Sequence, residues 1–129
     1  MGYCIENRGN DFEMDMSLAN DALKSLKALF SQADFAPRWA STETILEAKT
    51  FEDALSEAGF DLLDDGKLYY QIWFNGEKYG GDEIKILSAI APYVTPGSYI
   101  EMGGEDGEIW RWVFDGDTVI EKYPRIIWD

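Results

Sequence analysis

Histidine is absent from the 129 residues and cysteine occurs once. Without imidazole there is no Ser-His-Asp or Cys-His catalysis, no histidine metal ligand and not the commonest general base. One cysteine allows no internal disulfide, and a zinc site would need Cys and His ligands that the chain does not have. Cys4 is expected to be a small apolar residue buried on a strand, not a reactive thiol, because its nearest basic neighbour in sequence is Arg8. No apolar run approaches the roughly 20 residues of a membrane helix. The N-terminal MGYCIENRGNDFEMD lacks the basic-then-apolar pattern of a secretory signal. Its Met-Gly start is not followed by Ser or Thr at position 6, where Glu6 stands, so a myristoyl anchor is not expected either. The expected compartment is the cytoplasm.

Positive charge is also scarce. Eleven basic residues face 25 acidic ones, for a net charge of −14. Such a surface repels DNA, RNA and anionic membranes, and a partner for it should be basic. No GxxxxGK[ST] loop exists. The glycine-rich GGEDGE stretch is acidic and reads as a hairpin turn, not a phosphate cradle. DLLDDGK, GGEDGE and FDGDT place carboxylates beside glycine, but none has the spacing of a calcium loop. No metal, no cofactor and no catalytic residue is therefore expected. A two-carboxylate glycosidase site is the one catalytic option that composition leaves open, and acids clustered in turns read more simply as solvated turns.

The acids are segregated. Residues 43–65 carry Glu43, Glu47, Glu52, Asp53, Glu57, Asp61, Asp64 and Asp65 against Lys49 alone. Residues 101–121 carry Glu101, Glu105, Asp106, Glu108, Asp115, Asp117 and Glu121 against Arg111 alone. The stretch between them, 66–100, is balanced. These fifteen acids form the candidate interaction surface, expected as one continuous face.

Hydrophobic patterning supplies the fold. YCIE (3–6) and DFEMDM (11–16) read as a hairpin around NRGN, the second run alternating Phe12, Met14 and Met16 with Asp11, Glu13 and Asp15. Ser17 is the expected cap of a helix over 18–33, and TETILEAK gives one or two further turns. Thr50 caps FEDALSEA, with Asp53 at the capping-box position and Gly59 as the stop. LDDGK is a turn. KLYYQIWF (67–74) is a strand with Leu68, Tyr70, Ile72 and Phe74 on one face. NGEKYGG is a loop, and Asp82 caps EIKILSAIA, which Pro92 ends. SYIEM (98–102), EIWRWVF (108–114) and TVIEKY (118–123) form a meander through Asp-Gly turns, followed by a further strand at RIIW (125–128). Trp110, Trp112 and Phe114 share a face and are expected in the core beneath the helices. Arg111 is expected on the open face among Glu101 and Glu121.

The reading is a single α+β domain over 1–129: a twisted antiparallel β-sheet (N-terminal hairpin, one middle strand, C-terminal meander) with two to four helices packed mainly on one face. The string YIEM…GEDG…WRWVF…EKYP…IIW, extended back by FNGEKYGGDEI and AIAPYV, resembles small acidic proteins met as uncharacterised open reading frames in bacterial and phage-derived genomes. The resemblance implies no activity and assigns no residue a role.

The functional expectation is a non-enzymatic acidic binding protein that meets a basic protein, by preference a nucleic-acid-handling one, as an inhibitor of phage or mobile-element origin that mimics nucleic acid. Along DFEMD, carboxylates repeat at about 6.6 Å, near two steps of the DNA strand. The alternatives are an immunity-type or regulatory partner of one specific basic protein, and a carbohydrate-binding or hydrolytic domain built on Trp and carboxylates. Charge that serves solubility alone is the plain alternative to all of these. Because like charges crowd two segments, moderate sodium chloride should raise the thermal midpoint of the free protein by screening them over about 8–10 Å. An unchanged or lower midpoint would mean that pairing already compensates the charge.

Overall fold

The computed structural model describes residues 2–128. In chain order these form β1 (Ile5–Asp11), β2 (Met14–Asp15), α1 (Ala19–Phe30), α2 (Thr42–Glu47), α3 (Phe51–Ala58), β3 (Phe60–Asp64), β4 (Leu68–Phe74), α4 (Glu83–Ile90), β5 (Tyr99–Gly104), β6 (Ile109–Phe114) and β7 (Val119–Lys122). The fold is α+β, with a four-stranded sheet β1-β5-β6-β7 and a three-stranded sheet β2-β4-β3, both antiparallel.

The helices start where side-chain acceptors stand ready. Ser41 caps α2 by accepting Thr44 N–H at 3.2 Å, and Thr50 caps α3 by accepting Asp53 N–H at 3.1 Å. Gly59, at φ 123°, ends α3 and returns its N–H to Leu55 O. Two caps differ from expectation. Asp15, not Ser17, accepts the first free N–H of the turn that leads into α1, because Asp15 ends an extended strand with its carboxylate aimed along the chain. Asp82 makes no side-chain cap at α4, and its neighbour Glu83 turns back to accept the N–H groups of Gly80 and Gly81 at 2.6 and 2.8 Å.

NRGN is not a hairpin turn. Residues 5–15 run as one bent strand that belongs to both sheets: β1 pairs with β5, and after Phe12 and Glu13 the chain pairs with β4 as β2. The extra residue Arg8 forms a bulge, since Asn7 opposes Met102 while Gly9 opposes Glu101. Asn7 replaces the turn's expected work with a different one. Its amide lies against β4, accepting Phe74 N–H at 2.9 Å and donating to Phe74 O at 2.7 Å. Asn10 accepts Ile72 N–H at 3.4 Å in the same way. Side-chain amides thus stand in for a backbone ladder along the seam between the two sheets.

Two further elements depart from the patterning. β3 was not legible because only Phe60 is fully buried, Leu62 is half-buried, and the apolar Leu63 stands on the exposed face beside them, so the edge strand's alternation does not show in its residue types. In β4 the face changes midway. Tyr69, Ile72 and Phe74 are buried and Tyr70 is 47% exposed, contrary to the expected even-numbered face. The register explains it: Leu63 opposes Gln71 but Asp64 opposes Tyr69, so Tyr70 bulges and flips the alternation. RIIW is not paired as a strand, and Ile126, Ile127 and Trp128 are 82–89% exposed. Cys4 is exposed rather than buried, and its thiol is held above its ordinary pKa chiefly by a hydrogen bond to Glu105.

Trp110, Trp112 and Phe114 do point into the core. Their aromatic partners are mainly on strands: Trp112 meets Phe60 and Phe74 edge-on at 6.1 and 6.5 Å, and Phe114 meets Phe12 at 5.7 Å. The two sheets therefore fold toward each other about the shared strand, and buried residues of α1, α3 and α4 join the same cluster. Glu121 is not on the Arg111 face. It opposes Trp112 in register and accepts its indole N–H at 3.1 Å.

Asn7→Ala removes both bonds to Phe74 and leaves a partly buried peptide unpaired, so stability should fall by about 1–3 kcal/mol. Urea denaturation measures this directly, and an unchanged midpoint would show that the seam does not need the amide.

Candidate binding cleft

The N-terminal end of the shared strand carries a cleft of about 240 Å³ lined by Tyr3, Tyr79, Glu108, Trp110, Glu121 and Tyr123. Each side chain is placed by an identifiable contact. Tyr3 precedes β1 and is fixed by the 77–79 loop, which runs beside it: Tyr79 N–H donates to Tyr3 O at 2.7 Å and Ile5 N–H donates to Glu77 O at 2.9 Å. The buried Glu83 carboxylate ties down Gly80 and Gly81, which follow Tyr79. Burial pushes the Glu83 pKa up, partly offset by those two N–H groups. Gly104 leaves room for Tyr3, since a Cβ there would collide with the phenol. Trp110 comes from β6, and Glu121 and Tyr123 from β7 and its continuation.

The hydroxyls are spent on carboxylates. Tyr3 donates to Asp106, and Tyr123 donates to Glu121 at 2.6 Å. These bonds raise both phenols to a pKa of about 12. Tyr79 is raised by burial first, then by the charges of Glu121, Glu83 and Asp82. Glu121 is fully engaged, one oxygen with Trp112 Nε1 and the other with Tyr123. Trp110 Nε1 is the one buried side-chain polar atom without a partner among the described residues. Tyr79 and Trp110 meet edge to face at 6.4 Å.

The fifteen candidate acids do not gather at one place. Strand register puts the β5–β6 hairpin, with Glu105, Asp106 and Glu108, at one end of the meander, and the β6–β7 turn, with Asp115 and Asp117, at the other. A six-residue strand separates them by about 20 Å. The 43–65 segment is divided too. Asp61 opposes Trp73 near the cleft end of β4, while Asp64 and Asp65 lie at the far hairpin. Glu43 and Glu47 sit on α2, and Glu52, Asp53 and Glu57 on α3.

Many of these carboxylates serve the fold itself. Asp65 and Asp115 each accept two backbone N–H groups of their own turns, which lowers their pKa. Asp64 accepts Gly66 N–H, Glu57 accepts Ser41 N–H, Glu52 accepts the Tyr69 hydroxyl, and Asp61 accepts Ser56 and Asn75. Glu105 accepts Cys4 N–H at 3.3 Å. Glu101 holds Arg8 and Arg111, the two ion pairs among the described residues. The carboxylates of Glu43, Glu47, Asp53, Glu108 and Asp117 accept no hydrogen bond there, and of these only Glu108 borders the cleft.

Sequence reasoning reached Glu108 and Glu121 and placed Trp110 in the core, but it did not reach Tyr3, Tyr79 or Tyr123. Tyr3, Tyr79, Trp110 and Tyr123 are far apart in the chain, and no local signal joins them. No helix among the described residues is long and apolar enough to cross a membrane, and no group of three or more His, Cys, Asp or Glu there could hold a metal. No protein family, no curated protein and no solved structure matches this chain.

Tyr3 and Tyr123 ionise later when folded than in the unfolded chain, where tyrosine titrates near 10. Their contribution is intact below about pH 10 and is lost as pH rises toward about 12. Asp106 has the opposite sign: its pKa is lowered by Tyr3 and then by Glu108 N–H, so its contribution is lost as pH falls below the ordinary carboxylate range. In ultraviolet titration, Asp106→Asn should return one tyrosine toward its ordinary pKa. Superimposable curves would rule out the Tyr3–Asp106 bond in solution.

Proposed function

We propose that this is a non-enzymatic acidic binding protein that engages a basic protein, with the cleft as the seat of one cationic side chain. The observation that supports this reading most is the loading of the cleft. Three tyrosines, each raised by neighbouring carboxylates or burial, and Trp110 surround a site bordered by an uncommitted carboxylate on Glu108. Tyr3 and Tyr123 each hydrogen-bond to a carboxylate at the cleft, and carboxylate charge beside aromatic rings attracts a cation. At about 240 Å³ the cleft is smaller than sites for drug-sized ligands, which begin near 300 Å³, and suits one side chain.

This favours a shaped partner of one specific basic protein over mimicry of a nucleic-acid backbone. Mimicry needs free carboxylates in a row, whereas the acids here are split between two ends and most of them are engaged by turns, side chains or ion pairs within the fold. A sugar platform on Trp110 and Trp112 would need exposed rings, and both are buried.

The test is the rate at which lysine- and arginine-rich peptides associate with the protein across a salt series. Steered association should slow steeply with salt. Glu108→Gln should weaken binding several-fold with an unchanged melting temperature, because its carboxylate accepts no hydrogen bond among the described residues and its N–H bond to Asp106 is untouched. Equal binding by wild type and Glu108→Gln would remove the cleft from the interaction.

A further inference from the structure

We propose that this protein forms a two-fold dimer in which residues 125–128 of each copy lie in the groove on the outer face of the other copy's four-stranded sheet. This goes beyond the basic-partner reading and does not rest on it.

Both halves of the contact are present on one chain. The inner face of the sheet is covered, since Ile100, Met102, Trp112 and Phe114 point into the core that the helices join. The outer face carries Tyr99, Ile109 and Val113, each half-buried, with Ile120 exposed. An open groove of about 590 Å³ lies over it, bordered by Tyr99, Ile109, Val113, Arg111, Lys122 and Pro124. Pro124 has no N–H and cannot extend the β7 ladder, so the chain leaves the sheet at the rim of this groove. Beyond it Ile126, Ile127 and Trp128 stand in solvent, three consecutive large apolar side chains that their own molecule does not cover. Extended, four residues reach about 13 Å, close to the ~14 Å across four strands. A tail that starts at the rim of the surface it fills can be exchanged reciprocally about a two-fold axis.

Charge favours a second copy as the occupant. Arg8 and Arg111 share Glu101, Arg111 lies over the Tyr99 ring at 4.0 Å, and Lys122 opposes Arg111. The register puts Glu6 and Asp11 on the same face, opposite Gly103 and Tyr99. Three cations thus balance three acids on a chain that carries −14. A basic partner gains nothing from a neutral face. Two copies meeting there bring no net charge into the contact, while the rest of their surfaces repel. The dimer should therefore tighten as salt screens that repulsion, the reverse of binding to a basic partner.

Sedimentation velocity of the full-length protein over a dilution series, at low and moderate sodium chloride, tests this. The wild type should show a monomer–dimer equilibrium that tightens with salt. The Trp128 indole N–H resonance should move with concentration in step with it. Ile126→Asp combined with Ile127→Asp, at exposed positions, should weaken the dimer at least about tenfold and leave the melting temperature of the dilute monomer unchanged. Val113→Lys, on the groove side, should weaken it as much. If that variant fails to fold, the tail variant alone decides. A wild type that stays monomeric at every concentration overturns the proposal, as does a tail variant or a folded Val113→Lys that dimerises like wild type. A Trp128 resonance that already reports a shielded ring in the monomer also overturns it, by placing the tail on its own sheet. Binding of lysine- and arginine-rich peptides is read in its own titration and weakens with salt, so loss of the dimer leaves the basic-partner reading standing.

Discussion

The rest of the structure depends on the seam that Asn7 makes with Phe74. One strand, residues 5–15, is asked to complete two sheets, and a backbone has only one set of N–H and C=O groups for each residue. β1 spends its ladder on β5, so β4 would face it with an unpaired edge. The Asn7 amide has the same donor and acceptor as a peptide and closes that gap twice over, with Asn10 adding a third bond. Once the seam holds, the two sheets are angled toward each other. Phe60, Phe74 and Trp112 then meet in the space between them.

The cleft is a by-product of the same arrangement. The strand's N-terminal end is left beside the 77–79 loop on one side and the β5–β6 hairpin on the other. Tyr3 lies between these, and the carboxylates of Asp106 and Glu121 orient the phenols that meet there. The acids thus have two kinds of work. Those in tight turns replace missing backbone acceptors, a local task that any sequence with Asp-Gly turns performs. Those near the cleft fix aromatic rings and set the sign of the potential over them, a task that only the assembled fold defines.

How much of this was legible follows from how far each signal reaches. The helices at 19–30, 51–58 and 83–90 and the C-terminal meander came from local spacing, and local spacing survives folding. The alternation of Phe12 and Met14 and the inward face of Trp110, Trp112 and Phe114 held for the same reason. The bulges at Arg8 and Tyr70 did not announce themselves, because a bulge is a relation between two strands and each strand alone looks regular. NRGN has the composition of a turn, and its asparagines do bond to backbone, but to a strand more than 60 residues away. β3 was lost because the exposed Leu63 beside the inward Phe60 and Leu62 hides the strand's period in the residue types.

By itself the sequence determined the chemistry on offer: no imidazole, one thiol, an excess of carboxylates and many aromatic rings. Hydrophobic patterning also settled the α+β class, since the periods of the helices and strands are properties of short windows. Only the tertiary structure decided which carboxylates stay free. Glu105, Asp106 and Glu108 are neighbours in the chain, yet one carboxylate accepts Cys4 N–H, one holds Tyr3, and one accepts no hydrogen bond among the described residues. A carboxylate's partner is fixed by which segment the fold brings within about 3 Å of it. That distance belongs to the packed chain, and no spacing along the sequence encodes it.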